Sequence, residues 1–144
     1  MSIINPIMAI WEQKNRESIV CEFTIPIAPV TKKNHQQIVV AHGRPFVMPS
    51  KQYKEYEKSA GLFIKNKNLN IDYPINLQAV YYMPTKRRVD LVNLLEATCD
   101  VLVAYKVVVD DNSKVIASMD GSMVYYDKEK PRTEITITKT FLDD

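Results

Sequence analysis

Glycine is scarce in this chain, with three residues in 144. There is no Gly-rich loop, so neither a P-loop nor a dinucleotide-binding fingerprint is available. Cysteine is almost as rare. Cys21 and Cys99 form no CxxC pair and have no His-rich segment beside them, which disfavours zinc, and a disulfide framework is not expected in a chain long enough to bury a core. Both lie in apolar stretches and read as buried thiols. The two histidines, His35 and His42, are too few and too far from a Ser or Cys nucleophile to suggest a triad. No apolar run approaches membrane-span length, and the N-terminal MSIINPIMAIWEQKNRES lacks the basic start of a signal peptide. These absences predict a reduced, cytoplasmic protein with no organic cofactor and no membrane partner.

The apolar and charged fractions, 46% and 25%, are those of a globular domain, and the length suits one core rather than two. A net charge of +2 comes from a near balance of 19 basic and 17 acidic side chains, so affinity for nucleic acid must rest on where charge is placed. Residues 1–18 read as a leader, and residues 19–144 as the domain. IVCEFTIPIA predicts a first strand, with Pro26 and Pro29 marking an edge. His42-Gly43 between two apolar runs predicts a hairpin tip, with Gly43 at positive φ. Ser50 predicts the cap of a helix reaching about Asn66, whose Lys51, Lys54, Lys58 and Lys65 share one side. That row is either a solvated face or a line of ammonium groups tracking phosphates. INLQAVYYM alternates as a strand, and Asp90 caps a second helix from Leu91 to about Ala104. VVV, VIASM, MVYY and RTEITITK complete the strands. The order predicts an α+β domain in which two main helices pack on a mixed sheet. The tyrosines read as core and sheet-face residues rather than base-stacking platforms, although Tyr125 and Tyr126 cannot both face inward.

From Lys86 to Gly121 the chain brings three acidic groups together around one helix: Asp90, then Glu96 with Asp100, then Asp110-Asp111. Each has a plain structural reading, as N-cap, polar helix face and turn. Together, with Arg87 and Arg88 on the approach, they suggest a divalent cation held against a phosphate backbone. Magnesium takes oxygen ligands, often one or two carboxylates beside substrate phosphates, and an arginine fork grips the phosphate itself. Helix and strand lengths allow the Asp110 turn to meet either Asp90 or the Glu96/Asp100 face.

RRVDLVNLLEATCDVL, followed after a short gap by VVVDDNSKV, resembles the core of the RusA family of Holliday-junction resolvases, found in bacteria and their prophages. The likeness is strongest from Arg87 to about Val115, and a basic-Asn segment at Thr31 to Asn34 and a last strand after Pro131 fit it too. It implies a homodimeric α+β endonuclease that binds four-way DNA junctions and uses magnesium, with manganese as a substitute, to nick two strands symmetrically in recombination and repair. Asp90, Asn93, Asp110 and Asp111 match the family's pattern, and Asp100 sits where many members carry Asp. Val92 replaces the pattern's second Asp, and Glu96 stands at its Lys.

Two readings of that departure compete. In one, Glu96 supplies the lost carboxylate, and Lys114, Lys32 or Lys33 the lost positive charge. The metal site is then Asp90, Glu96, Asp110 and Asp111, with Asp100 in reserve, while Lys32, Lys33, Lys51, Lys54, Lys58, Arg87, Arg88 and Lys114 contact DNA. In the other, the chain keeps the fold and binds branched DNA without cutting it. A third possibility, from a different class, is a dimeric interaction domain whose lysine face is merely solvated.

Overall fold

The computed structural model describes residues 6–7, 18–32, 37–48 and 50–140. Seven strands and two helices follow in the order β1 (Ile19–Ile25), β2 (Gln37–Ala41), β3 (Arg44–Met48), α1 (Lys51–Ala60), β4 (Ile75–Met83), α2 (Leu91–Ala104), β5 (Ile116–Ser118), β6 (Met123–Tyr126) and β7 (Arg132–Lys139). β1 lies at one edge of a sheet ordered β1-β7-β4-β5, and Pro26 follows its last residue. β7 runs antiparallel to both β1 and β4, whereas β5 and β6 pair in parallel with successive parts of β4. The sheet is therefore mixed, and the fold is the expected α+β domain.

Strict alternation on β4, β7 and β1 gives the sheet one apolar face. Ile75, Leu77, Ala79 and Tyr81, with Thr133, Ile135 and Ile137, and Cys21, Phe23 and Ile25, are all buried. α1 and α2 cover this face with Tyr53, Tyr56 and Ala60, and with Leu94, Leu95, Ala97, Thr98, Cys99, Val101 and Leu102. The Tyr81 hydroxyl and Thr98 Oγ1 lie 2.6 Å apart in a buried hydrogen bond, pinning the helix to the strand beneath it. Neither α1 nor α2 packs on the opposite sheet face, where Asn76, Gln78, Val80, Tyr82, Arg132, Glu134, Thr136 and Thr138 are half-exposed. Both cysteines are free and buried, and burial pushes the Cys21 thiol up to about 11.

The β2–β3 hairpin turns at His42-Gly43 as expected, with φ of 54° and 74°, but forms a separate two-stranded sheet. Two elements differ from the sequence reading. VVV is buried at Val107 and Val108 yet makes only one bridge, to Ile71, instead of a strand. α1 stops at Ala60 rather than near Asn66, because the next amides turn back, Leu62 N–H to Ser59 and Phe63 N–H to Ala60. Gly61 is where this happens. The Tyr105 ring lies against it, and the Tyr105 hydroxyl donates to the Glu57 carbonyl at 2.8 Å. A Cβ at position 61 would enter that ring, so Gly61→Ala is expected to destabilise the fold by about 1–3 kcal/mol through overpacking. Urea unfolding of the two proteins checks this.

Candidate metal and DNA-facing site

α2 presents its outward side through residues four apart. Val92, Glu96 and Asp100 share one stripe, and Val92 is 71% exposed, as an acid-bearing position can be and a core position cannot. Asp90 is the N-cap by backbone position, but its side chain makes no capping bond to a backbone amide. Its carboxylate instead accepts from Asn93 Nδ2 at 3.3 Å and faces outward.

After α2 the chain runs through buried Val107 and Val108, the latter bridged to Ile71, and turns at Asp110. This turn is held by its own side chains. Asp110 Oδ1 accepts the Asp111 N–H at 2.7 Å, and Oδ2 accepts Asn112 Nδ2 at 3.0 Å. Asn112 Oδ1 in turn accepts the Lys114 N–H at 2.9 Å. The amide of Asp111, then the Asn112 side chain, hold the Asp110 carboxyl below the ordinary carboxylate range. Asp111 moves the other way, raised by partial burial first and by contact with the Asp110 carboxyl second, with the Asp110 and Asp100 charges adding. Burial pushes the Cys99 thiol up to about 12, and the charges of Asp111, Asp100 and Glu96 add to that shift. Asp90, ten residues before Asp100, stands roughly 15 Å away along the helix axis at 1.5 Å per residue. Among the described residues, no three His, Cys, Asp or Glu side chains are grouped closely enough to hold a metal ion.

The donors that do adjoin, Asp110 and Asp111, are all-oxygen and share a surplus of negative charge. That chemistry fits a hard divalent cation completed by waters and phosphate oxygens, and not zinc.

The predicted cations divide into two kinds. Lys51, Lys54, Lys58, Arg87, Arg88 and Lys114 are exposed. With α1 ending at Ala60, the helical row is Lys51, Lys54 and Lys58; Lys65 lies beyond it, lining a shallow recess with Glu22 and Glu134. Lys32 is engaged inside the protein. Its ammonium bonds Asp100 at 2.8 Å and sits 5.7 Å from the centre of the Tyr53 ring, whose hydroxyl donates to Glu57 at 2.8 Å. It therefore brings positive charge onto the acidic helix face from a distant segment. Lys33 lies outside the described residues, as does most of the leader; Ser18, at the leader's end, is buried and its carbonyl accepts the Lys139 N–H at 2.9 Å. Lys86 escaped the sequence reading, although the run KRR includes it. It is exposed and lies 5.2 Å from the centre of the Tyr126 ring.

The model of a protein family described as Endodeoxyribonuclease RusA matches residues 26–138, far more than half of the chain and all of both helices. No curated protein matches the chain. Among the described residues, no helix is long and apolar enough to cross a membrane.

Proposed function

The chain belongs to the RusA endodeoxyribonuclease family, and from that premise we propose that it is a magnesium-dependent endonuclease resolving four-way DNA junctions by paired nicks, acting as a homodimer. The match over residues 26–138, which spans both the acidic helix and the Asp110 turn, carries this reading. A two-fold enzyme suits a substrate that needs two symmetric cuts.

On this reading Asp110 and Asp111 hold the cation, with Glu96 and Asp90 as the further carboxylates facing the DNA. The cation, when bound, supplies charge against the scissile phosphate and a water acidic enough to attack it. Arg87 and Arg88, exposed just before Asp90, grip a phosphate through their planar forks. The Lys51, Lys54 and Lys58 row follows the backbone at a distance. Lys32 at Asp100 limits the repulsion that an acidic helix face would exert on DNA.

The test is cleavage of an immobile four-way junction, with magnesium and without, beside linear duplex of the same sequence. Symmetric nicks confined to the junction and dependent on the metal are expected. No nicking in magnesium or manganese, with tight junction binding, would favour the second reading, a non-catalytic branched-DNA binder on the same fold. The exposed Val92, where the family's pattern carries an acid, is the observation on its side.

The lysine row makes a separate prediction. Replacing Lys51, Lys54 and Lys58 together by Ala should weaken binding to all DNA alike and flatten the dependence of log affinity on log salt by about three, one for each phosphate contact. An unchanged salt slope would mean that these lysines are only a solvated face.

A further inference from the structure

On the sheet face opposite α1 and α2, one row of side chains crosses three strands in register. Arg132 on β7 pairs with Tyr82 on β4, and Tyr82 pairs with Tyr125 on β6. The Arg132 guanidinium lies 3.7 Å from the centre of the Tyr82 ring, and the Tyr82 and Tyr125 rings are stacked with centres 5.5 Å apart at 23°. The inner end of the row is rigid. Arg132 Nη1 donates to Asp127 at 2.8 Å and its Nε to Glu134 at 2.9 Å, so the guanidinium plane is fixed by two carboxylates. The outer end is open. Among the described residues β6 pairs only with β4 and has no strand beyond it, and Tyr125 remains 49% exposed although its hydroxyl reaches Met123 Sδ at 2.7 Å.

A planar cation, a ring and a second ring, held at one end and exposed at the other, form a stack one layer short. We propose that this open end receives an unpaired nucleobase, stacked on Tyr125, from a DNA strand that runs on to Arg87 and Arg88. The proposal rests on the endonuclease reading above. Two further observations point to a nucleobase carried on a phosphate chain. β4 delivers Tyr82 and, four residues later, the exposed run Lys86, Arg87 and Arg88. The turn between β6 and β7 adds Lys128 and Lys130, also exposed. Aromatic stacking accepts any base, whereas the adjoining ammonium groups require the phosphates that a free apolar ligand lacks. A strand opened at a branch point supplies both.

The experiment compares the full-length protein with Tyr125→Leu and Tyr125→Phe. Each is titrated against a four-way junction, the same junction with 5-iodouracil at the branch point, and a linear duplex, across a range of salt. The expected result is that Tyr125→Leu loses about tenfold in junction affinity, a loss typical of one stacked base. Its salt slope and its affinity for linear duplex should stay unchanged, Tyr125→Phe should bind as the parent does, and irradiation should join the iodouracil to Tyr125. Junction affinity and crosslinking that are the same in Tyr125→Leu and the parent would overturn the proposal alone. A parent protein that does not prefer the junction to the duplex would overturn it together with the endonuclease reading. Dissociation of a dimer by Tyr125→Leu, seen by sedimentation, would overturn it in favour of a contact between copies of the chain.

Discussion

Asp110→Asn is expected to slow metal-dependent nicking of the junction by at least about a hundredfold, since it removes the charge of a carboxylate assigned to the cation while leaving the turn nearly isosteric. The fold should tolerate it. An asparagine can still accept the Asp111 N–H through its carbonyl oxygen, as Asp110 Oδ1 does at 2.7 Å. It loses the other bond, because its amide would face the Asn112 amide, and Asn112 cannot simply flip while its Oδ1 accepts the Lys114 N–H. That loss is confined to an exposed turn, so the change in stability should stay within about 1 kcal/mol. Single-turnover nicking in magnesium, with junction binding measured in calcium, separates the two effects. Binding should hold or tighten slightly, since one negative charge is gone from beside the phosphates. A variant that nicks at the parental rate would remove Asp110 from the cation site and, with it, the mechanism proposed above.

Much of the frame around this turn was legible from local signals. INLQAVYYM alternates, ends before Pro84, and is β4 residue for residue. Leu91 to Ala104 is α2 with the bounds the sequence predicts, and its buried face is broad, from Leu94 to Leu102 and including Ala97 and Val101. His42-Gly43 is a turn because both residues tolerate positive φ. What the sequence could not yield depends on contacts across long separations. The Tyr105 ring packs where a Cβ at Gly61 would stand, and no propensity within α1 records that contact. Lys32 bonds Asp100 across 68 positions, a pairing that none of its neighbours in the chain records. The Arg132–Tyr82–Tyr125 row exists only through the register of three strands. The acidic residues were recognisable as types, but which of them adjoin was not. The bonds that Asp110 makes to the Asp111 amide and Asn112, and Asp90 to Asn93, appear only in the folded chain.

The departure at Val92 and Glu96 gives the second large effect. Residues 92 and 96 are one helical turn apart on the same stripe, so a carboxylate moved from one to the other stays on the same side of α2. If Glu96 supplies the acid that Val92 lacks, Glu96→Gln should slow nicking by roughly ten- to a hundredfold, the range expected for weakening one ligand of a catalytic cation. Val92→Asp added to that variant should then recover most of the loss. The added acid is sterically admissible, because Val92 is 71% exposed and packs no core. It falls in the first turn of the helix, where the backbone N–H groups favour negative charge, and with Gln at 96 it meets no like charge four residues on. Stability should therefore change by no more than about 0.5 kcal/mol, so rescue would be read in rate alone. Val92→Asp by itself is the necessary control, since it places two acids four apart at a cost of about 0.2–0.5 kcal/mol and tests whether extra charge helps regardless of Glu96. Loss without rescue would show that the carboxylate must stand at 96 itself. Equal rates for Glu96→Gln and the parent would mean that Glu96 holds no cation, leaving Asp110 and Asp111 to do so without help from α2.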